Sequence, residues 1–387
     1  MDIYILDELL RRTILVDIYI SLIWKERYSE YGAFELVTHN TRENAILFSV
    51  DTKITILQSQ LVMVVETIEK KIDSDGTSTL TITGRSNITI TEDRVAMPAL
   101  TDLTTTPQWE ITGTPGNVVR EIFTTICVSG VLNINDVIEF YTSGSLNSVG
   151  GIAEPSEEVT FILDPDTLYA TIKKICDVYQ LGFRLVRNGD FSELYFEVYT
   201  GDNRTANQKS NTPVIFSEVM DTLSNVNSII SNAGVKNVAY VFGSNGSAIV
   251  YADNISSTIS GFARRVLIVN ASDIDIDPGV ELTAALELRG IQELAAYRPT
   301  IAFDGEIPQN TPYIYGVDYN LGDIVELREA DGKINNMRVT EQIFVSDIEG
   351  VRSYPTLSFD QLITPGTWLS WSATKVWDEV TEMWIDV

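Results

Sequence analysis

Residues 62–83 read VMVVETIEKKIDSDGTSTLTIT, and this stretch determines how the first hundred residues fold. β-Branched and other apolar residues precede Asp73-Ser74-Asp75-Gly76, and threonines alternate with Leu80 and Ile82 after it. Such runs are typical of half-buried strands, and an Asp-Gly pair supplies the positive φ angles that a tight reversal requires. The stretch therefore predicts an antiparallel hairpin with one face exposed to water.

The rest of residues 1–98 continues the strand pattern around one short helix. Residues 14–20 are rich in β-branched and aromatic side chains, which favour a strand. Residues 41–48 predict a helix with Thr41 as its N-cap, because a threonine side chain accepts a hydrogen bond from an early backbone N–H. We therefore expect a β-rich N-terminal domain over residues 1–98.

Helices followed by strands characterise residues 99–230, where we expect a mixed α/β domain. Thr114-Pro115 places a cap and an N1 proline before one helix, and Asp164-Pro165-Asp166 repeats this arrangement before a second. Gly182 lies just past the second helix, where a left-handed glycine commonly ends a helix. A hairpin is predicted over residues 183–199, directly after that helix.

Residues 231–365 predict a second β-rich domain that contains one long helix. This helix runs from about Asp277-Pro278 to Tyr297, where Arg298-Pro299 stops it. Strands are predicted at residues 301–307, 324–328, 336–345 and 356–359. The final residues 366–387 form a separate segment that is distinguished by its tryptophans. Together, the predicted elements indicate an α+β protein built mainly from antiparallel sheet.

The charge balance excludes one class of partner. The 27 Lys and Arg residues face 54 Asp and Glu residues, so the formal net charge is −27. Sequence-specific nucleic-acid binding normally needs a basic surface that neutralises phosphates. We therefore expect no specific nucleic-acid binding.

The residues that usually carry catalysis are scarce. His39 is the one histidine, so a serine or cysteine nucleophile has little prospect of an imidazole partner. Cys127 and Cys176 lie far apart in apolar helical contexts, which is typical of buried free thiols and gives no metal-ligand spacing. No glycine-rich phosphate loop is present. We predict no catalytic residue, no cofactor and no metal.

Alternating carboxylates at Asp273, Asp275 and Asp277 resemble the start of a calcium-binding loop. Such a loop requires glycine at its sixth position and a bidentate glutamate at its twelfth. Here these positions hold Pro278 and Ala284. The sequence favours a strand end followed by a helix cap, and a weak cation site is the alternative.

The C-terminal residues 366–387 contain four of the six tryptophans in the chain: Trp368, Trp371, Trp377 and Trp384. Their spacing fits neither a helical stripe nor strict strand alternation. Tryptophan is enriched at protein interfaces and also stacks on sugars. The segment therefore either covers a local apolar surface, binds a partner protein or contacts carbohydrate, and we take these four residues as a candidate partner interface.

The N-terminal residues carry acids where a secretory signal has basic residues, and no stretch approaches the ~20 apolar residues of a membrane helix. We expect a soluble protein that is made without a cleaved leader.

Several segments, taken in order, resemble a tail protein family of long-tailed siphoviruses. The opening resemblance is SLIWKERYSEYGAFEL at residues 21–36. Further similar segments follow in the same order over residues 3–360: residues 63–69, 80–86, 181–184, 213–217, 236–241, 315–325 and 354–359. Each segment is short, so the ordered set carries the resemblance.

The resemblance implies a tail hub, a structural protein of the virion that has no enzymatic activity. It implies a homotrimer at the distal end of the tail, assembled in the host cytoplasm, with two barrel-like domains of the tail-tube type at residues 1–98 and 231–365. The implied partners are the distal tail protein and tape measure protein, together with spike, fibre or receptor-binding proteins. Genomic DNA would pass through the lumen only as transient cargo during ejection. The net negative charge would either repel that DNA or serve only to keep the protein soluble.

Two other functions stay open from the residues. A tail-associated hydrolase of the cell envelope could use a pair of carboxylates, for which the many acids provide candidates. A carbohydrate-binding receptor module could use Trp371, Trp377 and Trp384 as its centre.

Overall fold

The computed structural model describes residues 1–72, 74, 76–97, 109–138, 141, 152–188, 193–217, 219–220, 222, 224–252, 255–274, 278–298, 300–306, 313–328, 332 and 334–359. These residues form two compact units. The discontinuous unit combines Met1–Ile229 with Ala302–Ser358, and among the described residues the inserted unit contains Ile230–Ile301 together with Phe359. The four-part division expected from the sequence stays a prediction.

The N-terminal strands of the discontinuous unit alternate buried and exposed side chains. They are β1 Ile3–Leu6, β2 Arg12–Val16, β3 Ser21–Arg27, β4 Ala33–His39, β5 Lys53–Ile56, β6 Met63–Ile72 and β7 Ser78–Ser86. The predicted hairpin is confirmed, since β6 and β7 pair antiparallel to Ile72 and Ser78, and Gly76 has φ +87°. The strand expected over residues 14–20 is shorter, because the pairing of β2 with β1 ends at Val16.

Helix α1, Arg42–Leu47, begins as predicted. The Thr41 side chain accepts from the backbone N–H of Asn44 at 3.1 Å. This bond satisfies one of the free N–H groups of the first turn.

In the described residues, the middle of the chain adds two α-helices to seven short strands. These elements are β8 Val95–Ala96, β9 Trp109–Gly113, α2 Pro115–Cys127, β10 Val159–Leu163, β11 Asp166–Thr167, α3 Leu168–Tyr179, β12 Gly182–Arg187, β13 Leu194–Tyr199 and β14 Ile215–Ser217. The hairpin predicted over residues 183–199 is confirmed by the antiparallel pairing of β12 with β13.

The ends of α3 differ from the prediction. The N-cap is Thr167, whose side chain accepts from Ala170 N–H at 3.1 Å, and not the aspartates before it. At the other end, Gln180 adopts the left-handed conformation, with φ 55°. Gly182 instead opens β12, where its missing side chain makes room for a neighbouring ring.

Four strands near the C-terminus join the N-terminal strands in one sheet. They are β19 Thr300–Glu306, β20 Ile324–Arg328, β21 Ile334–Asp347 and β22 Gly350–Phe359, and β15 Ser224–Ser231 lies at one edge. The order across the sheet is β15-β19-β22-β21-β3-β4-β7-β6-β5-β1-β2, and β20 pairs with both β21 and β14. The described strands form an open path between β15 and β2, so the expected barrel-like domains are not confirmed. The fold is mostly antiparallel β-sheet with a few helices.

The core of the discontinuous unit joins residues from distant parts of the chain. Trp24 on β3 is fully buried and lies opposite Phe344 on β21. Phe34 on β4 lies opposite Trp24 on the other side. Because β3 and β21 are neighbours, the N-terminal strands cannot complete their packing until the C-terminal strands are in place.

The inserted unit is simpler. Its strands β16 Val238–Gly243, β17 Ser247–Tyr251 and β18 Val266–Ala271 form a sheet in the order β17-β16-β18. Helix α4, Val280–Ala295, buries Leu282, Leu286 and Leu294 against one face of that sheet. The predicted long helix is confirmed.

None of the helices in the described residues combines the length and the apolar composition needed to cross a bilayer.

Candidate functional site

A buried polar cluster lies in the discontinuous unit, and we call it the Tyr28 junction. It consists of Tyr28, Gly182, Tyr199, Gly322 and Arg338. Tyr28 follows β3 and is 4% exposed. Its hydroxyl lies 2.9 Å from the carbonyl oxygen of Gln180 and 3.0 Å from that of Tyr199, and it donates to this pair of acceptors. Burial raises the pKa of Tyr28, so the hydroxyl keeps the proton that it donates.

Arg338 on β21 connects Tyr28 to two further backbone segments. Its Nη1 donates to the carbonyl oxygens of Thr200 and Gly322, each at 2.7 Å, and to the Tyr28 hydroxyl at 3.3 Å. The guanidinium carbon lies 5.2 Å from the centroid of the Tyr28 ring, a cation–π distance. One arginine thus links β21, the end of β13 and the end of β3.

Two glycines make room for the Tyr28 ring. A Cβ atom on Gly182 would lie 2.3 Å from Cε2 of Tyr28, and one on Gly322 would lie 2.5 Å from the same atom. Gly322 also has φ +88°, which residues with a side chain rarely adopt. Any larger residue at either position would displace the ring.

A buried ion pair lies next to the junction. Arg184 on β12 faces Glu197 on β13, with Nη2 and Oε2 2.7 Å apart, and the Glu197 side chain is 1% exposed. The guanidinium carbon of Arg184 also lies 4.6 Å from the ring centroid of Tyr199. The pair therefore fixes the register of β12 on β13 and covers one side of Tyr199.

Glu26 on β3 makes a third buried connection. The carboxylate, in a residue 4% exposed, accepts from Nε1 of Trp24 at 3.2 Å and from the hydroxyl of Tyr315 at 3.0 Å. Burial, followed by the charge of Glu26, raises the pKa of Tyr315. This contact joins the N-terminal strands to the segment before β20.

Asp323, just before β20, is 2% exposed and is surrounded by N–H donors. It accepts from Nε of Arg204 at 2.6 Å, from the backbone N–H of Asp202 at 2.7 Å and from that of Asn320 at 2.9 Å. Burial raises the pKa of this carboxyl although these donors oppose the shift. Asp323 thereby fastens the loop after β13 to the C-terminal strands.

These contacts are suited to holding strands together. Arg184, Arg204 and Arg338 each bond to carboxylate or carbonyl oxygens. Among the described residues, no group of three or more His, Cys, Asp or Glu side chains could hold a metal ion. The arrangement fixes segments that are distant in the sequence, and its chemistry is that of a structural joint.

The residues predicted from the sequence lie elsewhere. Trp368, Trp371, Trp377 and Trp384 are outside the described residues, as are Asp275 and Asp277. Asp273 follows β18 and pairs with Arg289 at 2.7 Å. His39 is exposed at the end of β4. Cys127 and Cys176 are buried free thiols in α2 and α3, which confirms the prediction for them.

Sequence reasoning missed the Tyr28 junction. The sequence predicts Gly182 as a helix end, and nothing in the spacing of Gly182 and Gly322 shows that both contact the same ring. Arg184 and Arg338 lie in strands, where an arginine more often faces water. One sequence feature could have pointed to the Tyr28 junction. It is the pair of Leu-Gly sequences, Leu181-Gly182 and Leu321-Gly322, each of which lies next to a predicted strand.

Comparison with known proteins gives one family. The family model described as "Siphovirus ReqiPepy6 Gp37-like protein" matches residues 2–354. No curated protein matches this chain.

Two solved structures have a similar fold. The tail protein from Neisseria meningitidis MC58 has a TM-score of 0.56 at 12% identity, covering 95% of this chain and 98% of that one. The 43 kDa tail protein of prophage MuSo2 from Shewanella oneidensis has a TM-score of 0.52 at 13% identity, covering 92% of this chain and 97% of that one. At these identities the similarity shows the fold alone.

Proposed function

We propose, from the premise that the chain belongs to the Siphovirus ReqiPepy6 Gp37-like family, that it forms the hub of the tail tip or baseplate. It is a phage tail protein of the siphovirus type and so a structural component of the virion tail. The match over residues 2–354 carries this proposal, because it extends across both compact units.

The structure of the discontinuous unit supports a mechanical role. Its sheet joins strands from both ends of the chain, with Trp24 on β3 opposite Phe344 on β21. The Tyr28 junction then adds directional bonds between those strands and the middle of the chain. A hub must transmit force without losing register, and buried hydrogen-bonded networks favour one arrangement over alternatives. The proposed role requires no catalytic residue.

The proposal includes a homotrimer at the distal end of the tail, assembled in the host cytoplasm. Its partners are the distal tail protein and tape measure protein, and the spike, fibre or receptor-binding proteins. Among the described strands the sheet ends at β2 and at β15. We propose that these edges pair with neighbouring copies and that the barrel-like, tube-type domains become complete in this way.

The negative charge fits a protein that surrounds passing DNA. With a formal net charge of −27, a lumen lined by carboxylates would repel phosphates and keep the genome moving during ejection. DNA is then transient cargo with no specific site.

We propose that Trp368, Trp371, Trp377 and Trp384 bind a distal partner protein. Tryptophans are frequent hot spots of protein interfaces. Removing residues 366–387 is expected to leave the hub in the particle and to release that partner, as judged by the protein composition of purified virions. Particles that keep their full composition would contradict this assignment.

Electron cryomicroscopy of intact particles tests the hub itself. We expect density for three copies of the chain at the tail tip, and particles lacking the chain should have no complete tip. Complete tips and normal DNA ejection in such particles would overturn the proposal.

A further inference from the structure

The sheet of the inserted unit has two faces, and helix α4 packs on one of them. Ala239 and Val241 on β16, Val250 on β17 and Val269 on β18 form the core under that helix. Side chains alternate between the two faces of a strand, so the residues between these core positions project from the opposite face.

Large apolar side chains occupy that opposite face. Tyr240 on β16 is paired with Ile249 on β17 and with Ile268 on β18, and Phe242 follows on β16. Phe242, Ile249 and Ile268 are each more than half exposed. We call Tyr240, Phe242, Ile249, Tyr251 and Ile268 the bare face. Exposed apolar patches of this kind commonly mark a binding surface.

One cation lies over the bare face. The guanidinium carbon of Arg264 is 5.7 Å from the ring centroid of Tyr240 and 5.8 Å from that of Tyr251. Its Nη2 donates to the Tyr240 hydroxyl at 2.9 Å and its Nη1 to the carbonyl of Ile259 at 3.4 Å, so these partners in the described residues are neutral. An occupant with both aromatic rings and carboxylates would complement this face.

The size of the bare face favours a segment of the same chain over a second copy. Three strands about 4.8 Å apart and about six residues long cover roughly 300 Å². A stable interface between two proteins buries about 800 Å² on each partner. A segment joined to the unit needs less area, because its connection keeps it at a high effective concentration.

Residues 366–387 have the composition that this face requires, and they follow the inserted unit closely in the chain. They contain four tryptophans, and four carboxylates against one lysine. Phe359, the last described residue, belongs to the inserted unit. The intervening residues 360–365 span about 20 Å when extended, which is comparable with the length of the sheet.

We propose that residues 366–387 cover the bare face of the inserted unit in the free chain. Their tryptophans pack on Phe242, Ile249 and Ile268, and one of their carboxylates pairs with Arg264. The inference rests on the proposed function in one respect, because the same tryptophans are proposed to bind a distal partner in the particle. The cover keeps them from wrong contacts until that partner displaces it.

The test measures alkylation of Ile268→Cys in the full chain and in a chain that ends at residue 365, with the adduct located by peptide mass spectrometry. The native thiols Cys127 and Cys176 are buried and should react slowly. We expect the introduced thiol to react about 10-fold more slowly in the full chain, because the cover must open first. Val280→Cys, exposed on α4, is the matched control and should react equally in both chains.

A second set of variants keeps the chain at full length. In the chain that carries Ile268→Cys, Trp371→Ala/Trp377→Ala should raise the alkylation rate towards that of the shortened chain, because the cover loses apolar contacts. Thr367→Ala/Thr381→Ala, in the same segment, is the control and should leave the rate unchanged.

Two results would overturn the proposal. One is an equal alkylation rate at Ile268→Cys in the full and the shortened chain, which would leave the bare face to a partner protein. The other is protection that increases with protein concentration, which would assign the cover to a second copy.

The protein composition of virions separates this inference from the proposed function. If the shortened chain loses the distal partner in particles while its alkylation rate matches that of the full chain, the proposed function holds and the cover is refuted. If the alkylation rate rises while the particles keep their partner, the cover holds and the partner assignment is refuted.

Discussion

The two compact units are stabilised in different ways. The core of the inserted unit comes from one continuous stretch, Ile230–Ile301, and is aliphatic, with Leu282 and Leu286 of α4 packed on Val241 and Val250. The discontinuous unit instead combines an apolar core with buried bonds such as those of Arg338. Burial of apolar surface is non-directional and suffices where the chain itself brings the elements together. Where distant segments must meet in one register, directional polar bonds specify the pairing.

Among the changes that test this difference between the units, removing Arg338 should lower the unfolding free energy the most. Arg338→Met leaves the buried carbonyls of Thr200 and Gly322 without a donor, and each unpaired group costs about 1–3 kcal/mol. We expect the discontinuous unit to lose about 3–5 kcal/mol of unfolding free energy, measured by chemical denaturation.

Arg265→Met is the matched control in the inserted unit. Its Nη1 donates to the carbonyl of Asn232 at an exposed site. The control should lose much less, since water replaces the lost donor. Equal losses in the two variants would contradict the distinction between the units.

Truncating the aliphatic core should act on the inserted unit alone. Leu286→Ala removes a side chain that is 1% exposed, and such changes cost about 2–5 kcal/mol. We expect faster hydrogen exchange confined to β16–β18 and α4. Val280→Ala, at an exposed position, is the control and should change exchange little. Loss of protection throughout β3 and β21 would show that the units unfold together.

Filling the space beside Tyr28 should have an intermediate effect. Gly182→Ala places a methyl group against a buried ring, and overpacking of this kind costs about 1–3 kcal/mol. In the inserted unit, Gly246→Ala meets only the end of the Leu282 side chain, at 3.1 Å, which can move. We therefore expect Gly246→Ala to lose less unfolding free energy than Gly182→Ala.

The two cysteines report which unit has opened, because both lie in the discontinuous unit. Burial raises the pKa of Cys127 to about 12, so the native thiol should resist alkylation. Gly182→Ala should increase alkylation and Gly246→Ala should not. The reverse order would contradict the role assigned to Gly182.

The smallest expected effect is the change of the unfolding free energy with pH. Burial raises the pKa of Asp323 above its usual 3.8, so the folded state favours the protonated carboxyl. The contribution of Asp323 to stability is therefore greatest below pH 3.8 and falls as the pH rises through the raised pKa. The difference in unfolding free energy between the unmodified chain and Asp323→Asn should decrease over that interval. An increase of this difference with pH would refute the assignment.

Much of the local structure could be predicted because it depends on neighbouring residues. The hairpin of β6 and β7 follows from alternation and an Asp-Gly turn, and α4 follows from a helical stripe after Asp277-Pro278. The ends of α3 could not be predicted from propensity alone. Thr167 and the aspartates before it can each cap a helix, and Gln180 and Gly182 can each end one. At the C-terminal end, Gly182 lies in β12 and packs against the Tyr28 ring, and Gln180 ends the helix.

The sequence by itself determined the mainly antiparallel α+β composition, the acidic charge and the resemblance to siphovirus tail proteins, since these depend on residue order and type. Only the tertiary structure decided that β3 lies beside β21 and that Tyr28, Gly182, Gly322 and Arg338 meet. The physical reason is that pairing between segments some 300 residues apart depends on side-chain shape and on partners for buried polar groups. Neither of these is expressed in the local pattern of the chain.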